Sequence, residues 1–144
     1  MIEINLPIQI RWADLDPNFH VLHSKYYDFG AFCRMVYLTE NGISTALLTE
    51  NNIGPILLKE DCTFRRELKF EDKVSINLKI SWYSKNGARW WMQHQIFKND
   101  DILSATINIE GAWMDTQLRK LTAPPEPVIS LFENTQKTVD FFVK

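Results

Sequence analysis

Residues 11–34 read RWADLDPNFHVLHSKYYDFGAFCR, a stretch that passes from the end of a strand pattern through a polar turn into an apolar helical run. Ahead of it, every even position from 2 to 12 is apolar (Ile2, Ile4, Leu6, Ile8, Ile10, Trp12), the period of a half-buried strand. Pro7 has no N–H for a ladder, so this strand is expected at a sheet edge or with a bulge. Ser24 is placed to cap a helix running to about Asn41, and Gly42 to end it. The helix carries Tyr26, Tyr27, Phe29, Ala31, Phe32, Cys33, Met35, Val36, Tyr37 and Leu38. That is too many apolar residues for one stripe, so the rest of the chain is expected to wrap around it.

Downstream, Ser44 opens a shorter helical piece to about Asn51, and Gly54-Pro55 interrupts the chain before strand patterns begin. These cover about 56–68, 74–83, 88–98 and 102–114, the second with a clean alternation of Val74, Ile76, Leu78, Ile80 and Trp82. Asn86-Gly87 and Asn99-Asp100-Asp101 are hairpin-type turns, which makes the last three strands an antiparallel meander. After Pro124, Pro125 and Pro127, the spacing of Val128, Leu131, Phe132, Thr135, Val139 and Phe142 predicts a short amphipathic C-terminal helix. The order strand, long helix, then successive antiparallel strands is α+β, one domain over residues 1–144 with a long helix laid against a curved sheet.

A chain of 144 residues suits one domain and can bury roughly two thirds of its unfolded surface. Its 16 basic and 18 acidic residues leave a formal charge of −2, so no global field favours nucleic acid or an anionic membrane. An anionic ligand must be held by a local cluster. Cys33 and Cys62 stand apart with no CxxC, as expected of reduced thiols in a cytoplasmic protein. The longest apolar runs are too short for a membrane span.

The motifs resemble the hot-dog-fold acyl-CoA thioesterases of the 4-hydroxybenzoyl-CoA thioesterase type. The likeness rests on Arg11-Trp12, Asp14-Leu15-Asp16, the turn Pro17-Asn18-Phe19-His20-Val21, and His23 with Tyr26 at the helix start, followed by Arg34. Gly54-Pro55, Arg65-Arg66 ending in Leu68, Asp72-Lys73-Val74 and the exit from Lys120 to Pro125 extend it over most of the chain. The resemblance implies a hot-dog fold, in which about five antiparallel strands curve around the central helix. It also implies a homodimer or homotetramer with active sites at the interface. Two positions depart from the pattern. The turn after Asp16 has Asn18-Phe19 where a glycine is usual, and Ala31 stands where related enzymes often carry an acid.

Thioester hydrolysis needs an attacking oxygen and a stabiliser for the oxyanion, with neither metal nor cofactor, because the thiol leaves with a pKa of about 8.5. Asp16 is the candidate nucleophile or general base, its plain alternative being a residue that caps the turn. His23 stands where a backbone N–H at a helix N-terminus can meet an oxyanion. Its imidazole could also orient Asp16 or pass a proton. His20 is read as holding the turn, Asp14 as structural and His94 as packing or interface. Tyr26 and Phe64 are candidates for the acyl slot. Arg65 and Arg66, with Lys85 and Arg89 behind them, are candidates for the phosphates of CoA. The reading is hydrolysis of an acyl-CoA. The alternatives are a thioesterase acting on acyl-carrier protein and a non-catalytic acyl-CoA binding module.

Overall fold

The chain is described by a computed structural model covering residues 1–143. Strand β1 (Ile4–Ile8) leads through a single 3-10 turn (Trp12–Asp14) to helix α1 (Lys25–Glu40) and the short α2 (Thr45–Glu50). Then come β2 (Ile53–Phe64), β3 (Val74–Tyr83), β4 (Arg89–Lys98), β5 (Ile102–Asp115), the two-residue β6 (Lys120–Leu121), α3 (Glu126–Asn134) and β7 (Lys137–Val143). The main sheet runs β1-β3-β4-β5-β2, with β6 on β5 and β7 on β3, so the expected five strands are joined by two short ones.

The sheet follows from its alternation. Ile76, Leu78 and Ile80 of β3, Ile96 of β4, and Ile107 and Ile109 of β5 point inward and are at most 1 % exposed. Each buried side chain of this size contributes roughly 1.5–3 kcal/mol relative to an exposed one. Against them lies α1, which buries Tyr26, Phe29, Cys33, Tyr37 and Leu38 and packs on β3 and β1. The wrap is incomplete: Phe32 is 58 % and Met35 41 % exposed, so α1 keeps an open apolar side. Among the described residues no helix is long and apolar enough to cross a membrane.

Turn chemistry behaves as the sequence implies. Gly42 has φ +87° just past α1, Ser44 Oγ accepts the Leu47 N–H at 3.1 Å, and Asn99 and Asp100 both take positive φ in the β4–β5 turn. Pro7 sits on the short end strand β1. Three expectations are corrected. Ser24 does not cap α1 with its side chain, because its backbone is already helical (φ −68°, ψ −23°). Gly54 and Pro55 lie inside β2 rather than before it, which costs little at a strand that pairs on one side only. The C-terminal helix stops at Asn134, and Thr135 to Phe142 lead into and form β7, parallel to β3. Beyond the end of β1 the edge of β3 is open, and the residues that follow are β-branched or aromatic (Thr138, Val139, Phe141, Phe142), so pairing outweighs the helical period.

Candidate active site

The turn between β1 and α1 is held by two aspartates used differently. Asp14 is 1 % exposed; its carboxylate accepts from the Arg11 backbone N–H at 2.9 Å and from the Arg11 guanidinium at 2.9 Å. Burial opposes ionisation of Asp14, but the Arg11 side chain and N–H outweigh it and hold the carboxyl below its ordinary range. Asp16 is half-buried, and its Oδ1 accepts the N–H groups of Asn18 at 2.8 Å and His20 at 3.1 Å. Its own N–H donates to the His20 carbonyl at 2.8 Å, which closes the loop. Asp16 Oδ2 takes no hydrogen bond among the described residues. Inside this loop Phe19 adopts φ +63°, a left-handed conformation that a glycine would enter without strain.

Where the turn meets α1, the first N–H groups have no helical carbonyl ahead of them. Lys25 N–H donates to Leu22 O at 2.9 Å, whereas those of His23 and Ser24 find no acceptor among the described residues. His23 stands in the wall of an open cleft of about 300 Å³, together with Val21, Tyr26, Phe64, Arg65, Arg66 and Glu67. Five residues singled out from the sequence thus meet at one place: His23, Tyr26, Phe64, Arg65 and Arg66. Tyr26 is buried and meets Phe64 edge-on with ring centres 4.9 Å apart. Burial pushes the Tyr26 phenol up, so it stays neutral. Both arginines are exposed beyond the end of β2, where their N–H groups donate to Ser104 O at 2.8 and 3.0 Å. Asp16 is not in the cleft wall. Its turn adjoins the wall through His20, whose Nε2 lies 3.1 Å from Glu67 Oε2. His20 thus links the Asp16 turn to the cleft wall.

Lys85 and Arg89 do not join this cluster within the chain. Arg89 pairs with Ala112 on β5 while Arg65 and Arg66 bond Ser104, a separation of eight strand residues or roughly 26 Å. The Arg89 guanidinium is occupied by Glu110.

A second cluster lies under the middle of α1, around His94, for which the sequence suggests packing or an interface. His94, fully buried on the inner face of β4, has Nδ1 2.7 Å from the Asn77 carbonyl and Nε2 3.0 Å from Arg34 Nη1. A guanidinium only donates, so Nε2 accepts and the proton resides on Nδ1, donating to Asn77. Burial, then the Arg34 charge, push His94 down to about 3, so the ring is neutral. Gly30 makes room for the pair: a Cβ there would lie 3.1 Å from His94 Cδ2 and 3.3 Å from Arg34 Nη1. The sequence signal was a glycine and an arginine one helical turn apart in an apolar helix.

The fold has close counterparts. A hypothetical protein from Staphylococcus aureus solved in complex with CoA superposes with TM-score 0.87 at 18% identity, covering 96% of this chain and 88% of that one. A 1,4-dihydroxy-2-naphthoyl-CoA thioesterase from Synechocystis gives 0.82 at 16% identity, with 92% and 96% covered. A DHNA-CoA thioesterase from Staphylococcus aureus gives 0.76 at 20% identity, with 85% and 81% covered. At these identities the likeness establishes the hot-dog fold. None of the curated proteins matches the chain in sequence. The family signature, in contrast, matches residues 10–132, a span that contains the Asp16 turn, α1 and the whole cleft, and the chain belongs to the thioesterase-like superfamily.

Proposed function

We propose that this protein hydrolyses an acyl-CoA thioester to the free acid and CoA. The observation that carries the reading is the meeting of His23, Tyr26, Phe64, Arg65 and Arg66 around one cleft beside the Asp16 turn. The thioester carbonyl oxygen takes the unpaired N–H groups at the start of α1, where the helix dipole also favours developing negative charge. Asp16, through Oδ2, either removes a proton from a water that attacks the carbonyl, or attacks it directly to give a mixed anhydride that water then hydrolyses to the acid and free Asp16; in both routes the C–S bond breaks and the thiolate departs. Tyr26 and Phe64 wall the acyl slot. Arg65 and Arg66 face the CoA phosphates. The CoA complex and the two CoA thioesterases among the structural counterparts are consistent with this chemistry.

The chain acts as one domain and as a homodimer or homotetramer in the cytoplasm. β2 supports the assembly: it is 12 residues long, pairs only with β5, and exposes Leu57 and Leu58. An open edge of that length is normally covered. The other end of the sheet carries the shorter β1 and β7.

A second reading, a non-catalytic acyl-CoA binding module, is favoured by one observation: Asp16 Oδ1 is already committed to two backbone N–H groups. Thiol release from a panel of short, long and aromatic acyl-CoAs, with wild type beside Asp16→Asn, decides between them. Turnover that disappears in the variant supports the hydrolase; tight binding without thiol release supports the module. Acyl-carrier-protein thioesters assayed alongside identify the preferred carrier. Charge reversal at Arg65 or Arg66 is expected to raise KM for CoA esters and leave kcat nearly unchanged.

A further inference from the structure

A cavity of about 160 Å³ lies between the second half of α1 and the start of β2, with Arg34, Met35, Leu38, Ile56, Trp90 and Trp113 among its walls. Its lining is mostly apolar, and Arg34 is the one charged residue among its walls. Arg34 makes no ion pair with a carboxylate among the described residues, although Glu60 of β2 is near enough to favour its charge. Among the described residues only its Nη1 is bonded, and to a neutral ring. The cavity therefore keeps a net positive charge, and its guanidinium is held from behind by the Asn77–His94 chain, which leaves the remaining N–H groups to be satisfied from outside the protein. The indole N–H groups of Trp90 and Trp113, both wall residues, also find no acceptor among the described residues. A partly buried guanidinium in an apolar site, partnered only by a neutral acceptor, is suited to an incoming carboxylate, which it can take in bidentate fashion.

We propose that this cavity binds a small carboxylate-bearing apolar group, the far end of an acyl chain that carries a second carboxylate. The inference rests on the thioester-hydrolase reading for the identity of that chain. A cavity of about 150 Å³ holds a benzene-sized molecule, so the carbon skeleton between the two carboxyl carbons is short or a single ring. The cavity touches Pro55, Ile56 and Leu57 at the start of β2, while the cleft touches Phe64 at its end. Two-fold pairing of β2 edges is antiparallel, and brings the start of one strand toward the end of its copy. The cleft of one protomer then delivers its acyl chain toward the Arg34 cavity of the partner.

The test has two arms. In the first, benzoate and its neutral analogue benzamide are titrated by tryptophan fluorescence and calorimetry into wild type and Arg34→Gln. Benzoate is expected to bind at least about tenfold more tightly than benzamide, and the variant to lose that preference. Ala31→Phe, a change at an exposed wall residue, closes the cavity without touching the charge and is expected to abolish benzoate binding while the thermal melt persists. In the second arm, kcat/KM is measured on adipoyl-CoA and hexanoyl-CoA; wild type is expected to prefer adipoyl-CoA about tenfold and Arg34→Gln to prefer hexanoyl-CoA. Equal hydrolysis of both esters, with benzoate bound no better than benzamide, overturns the proposal and leaves the hydrolase intact. Arg34-dependent benzoate binding with no turnover of any ester overturns the hydrolase and leaves the carboxylate pocket standing.

Discussion

The start and the middle of α1 present opposite solutions to holding a polar group. At the N-terminus Asp16 sits in a turn closed within five residues, half-buried, with its Oδ1 fixed by N–H groups two and four residues away. Under the middle of the helix, Arg34 is fixed by His94, 60 residues later in the chain, and His94 by Asn77, on the next strand. The first site is local, open to solvent and tolerant of change in the core. The second exists only when helix and sheet are docked, and its geometry is bound to the stability of the whole. The lesson is that a reactive group can be exposed cheaply where the backbone itself supplies the partners, whereas a recognition charge inside the fold requires long-range packing to orient it.

Substitutions can separate the two regions. The largest effect is expected from Asp16→Asn, because the amide oxygen still accepts from Asn18 and His20 while the reactive carboxylate is lost. Steady-state kcat should fall about 10³-fold, roughly 4 kcal/mol of barrier, with a melting temperature close to wild type. If the variant unfolds instead, the local turn is as dependent on the whole as the inner cluster, and the contrast fails.

Next is Gly111→Ala in the wall of the inner region. A Cβ there would meet the Trp90 indole at 2.2 Å, and Trp90 is 3 % exposed with little room to retreat. Chemical denaturation should register a loss of about 1–3 kcal/mol, and the cavity beside Trp90 should change shape.

His94 gives a pH signature that the open turn lacks. Its folded value, about 3, lies below the ordinary 6.5, so the unfolded chain binds the extra proton first as pH falls. The stabilisation from this group is complete above about 6.5 and is lost progressively toward 3, at up to about 1.4 kcal/mol per pH unit. Urea midpoints across that window should fall with pH in wild type, and less steeply in His94→Gln, whose amide can still accept from Arg34.

The smallest effect is expected at Phe19, which is 64 % exposed and left-handed. Phe19→Gly relieves about 1–2 kcal/mol of strain but gives the unfolded chain about 0.4–1 kcal/mol of added freedom. The net gain should be on the order of 0.5–1 kcal/mol by thermal denaturation. A gain in stability with a loss of kcat would mean that the strained turn serves the chemistry.

Much of this was legible in the chain because the relevant signals were short-range. The even-position alternation of β1, the clean period of β3, the turn at Asn86-Gly87 and the stop at Gly42 each depend on neighbours a few residues apart, and each appears in the structure. Trp90 and Trp91 face opposite sides of β4 because successive strand residues alternate, one 3 % and the other 40 % exposed. β7 was missed because a helical period and a strand-rich composition coincide there, and the choice was made by a free stretch of β3. Ser24 was misjudged because a cap depends on backbone angles set by the preceding turn. For the candidate site, Asp16, His23, Tyr26, Phe64, Arg65 and Arg66 could be named individually, but not the fact that all but Asp16 share one cleft.

By itself, then, the sequence determined the identity and periodicity of most elements and the polar turn ahead of α1, since hydrogen bonds over two to four residues and alternation of side chains are properties of the local chain. Only the tertiary structure decided that the end of β2 closes on the start of α1 and that Arg34 lines a cavity with no ion-paired carboxylate among the described residues. Those relations join residues far apart in the chain, Tyr26 with Phe64 and Arg34 with Ile56, Trp90 and Trp113, and their energies come from burial, which has no value until the sheet has curved around the helix.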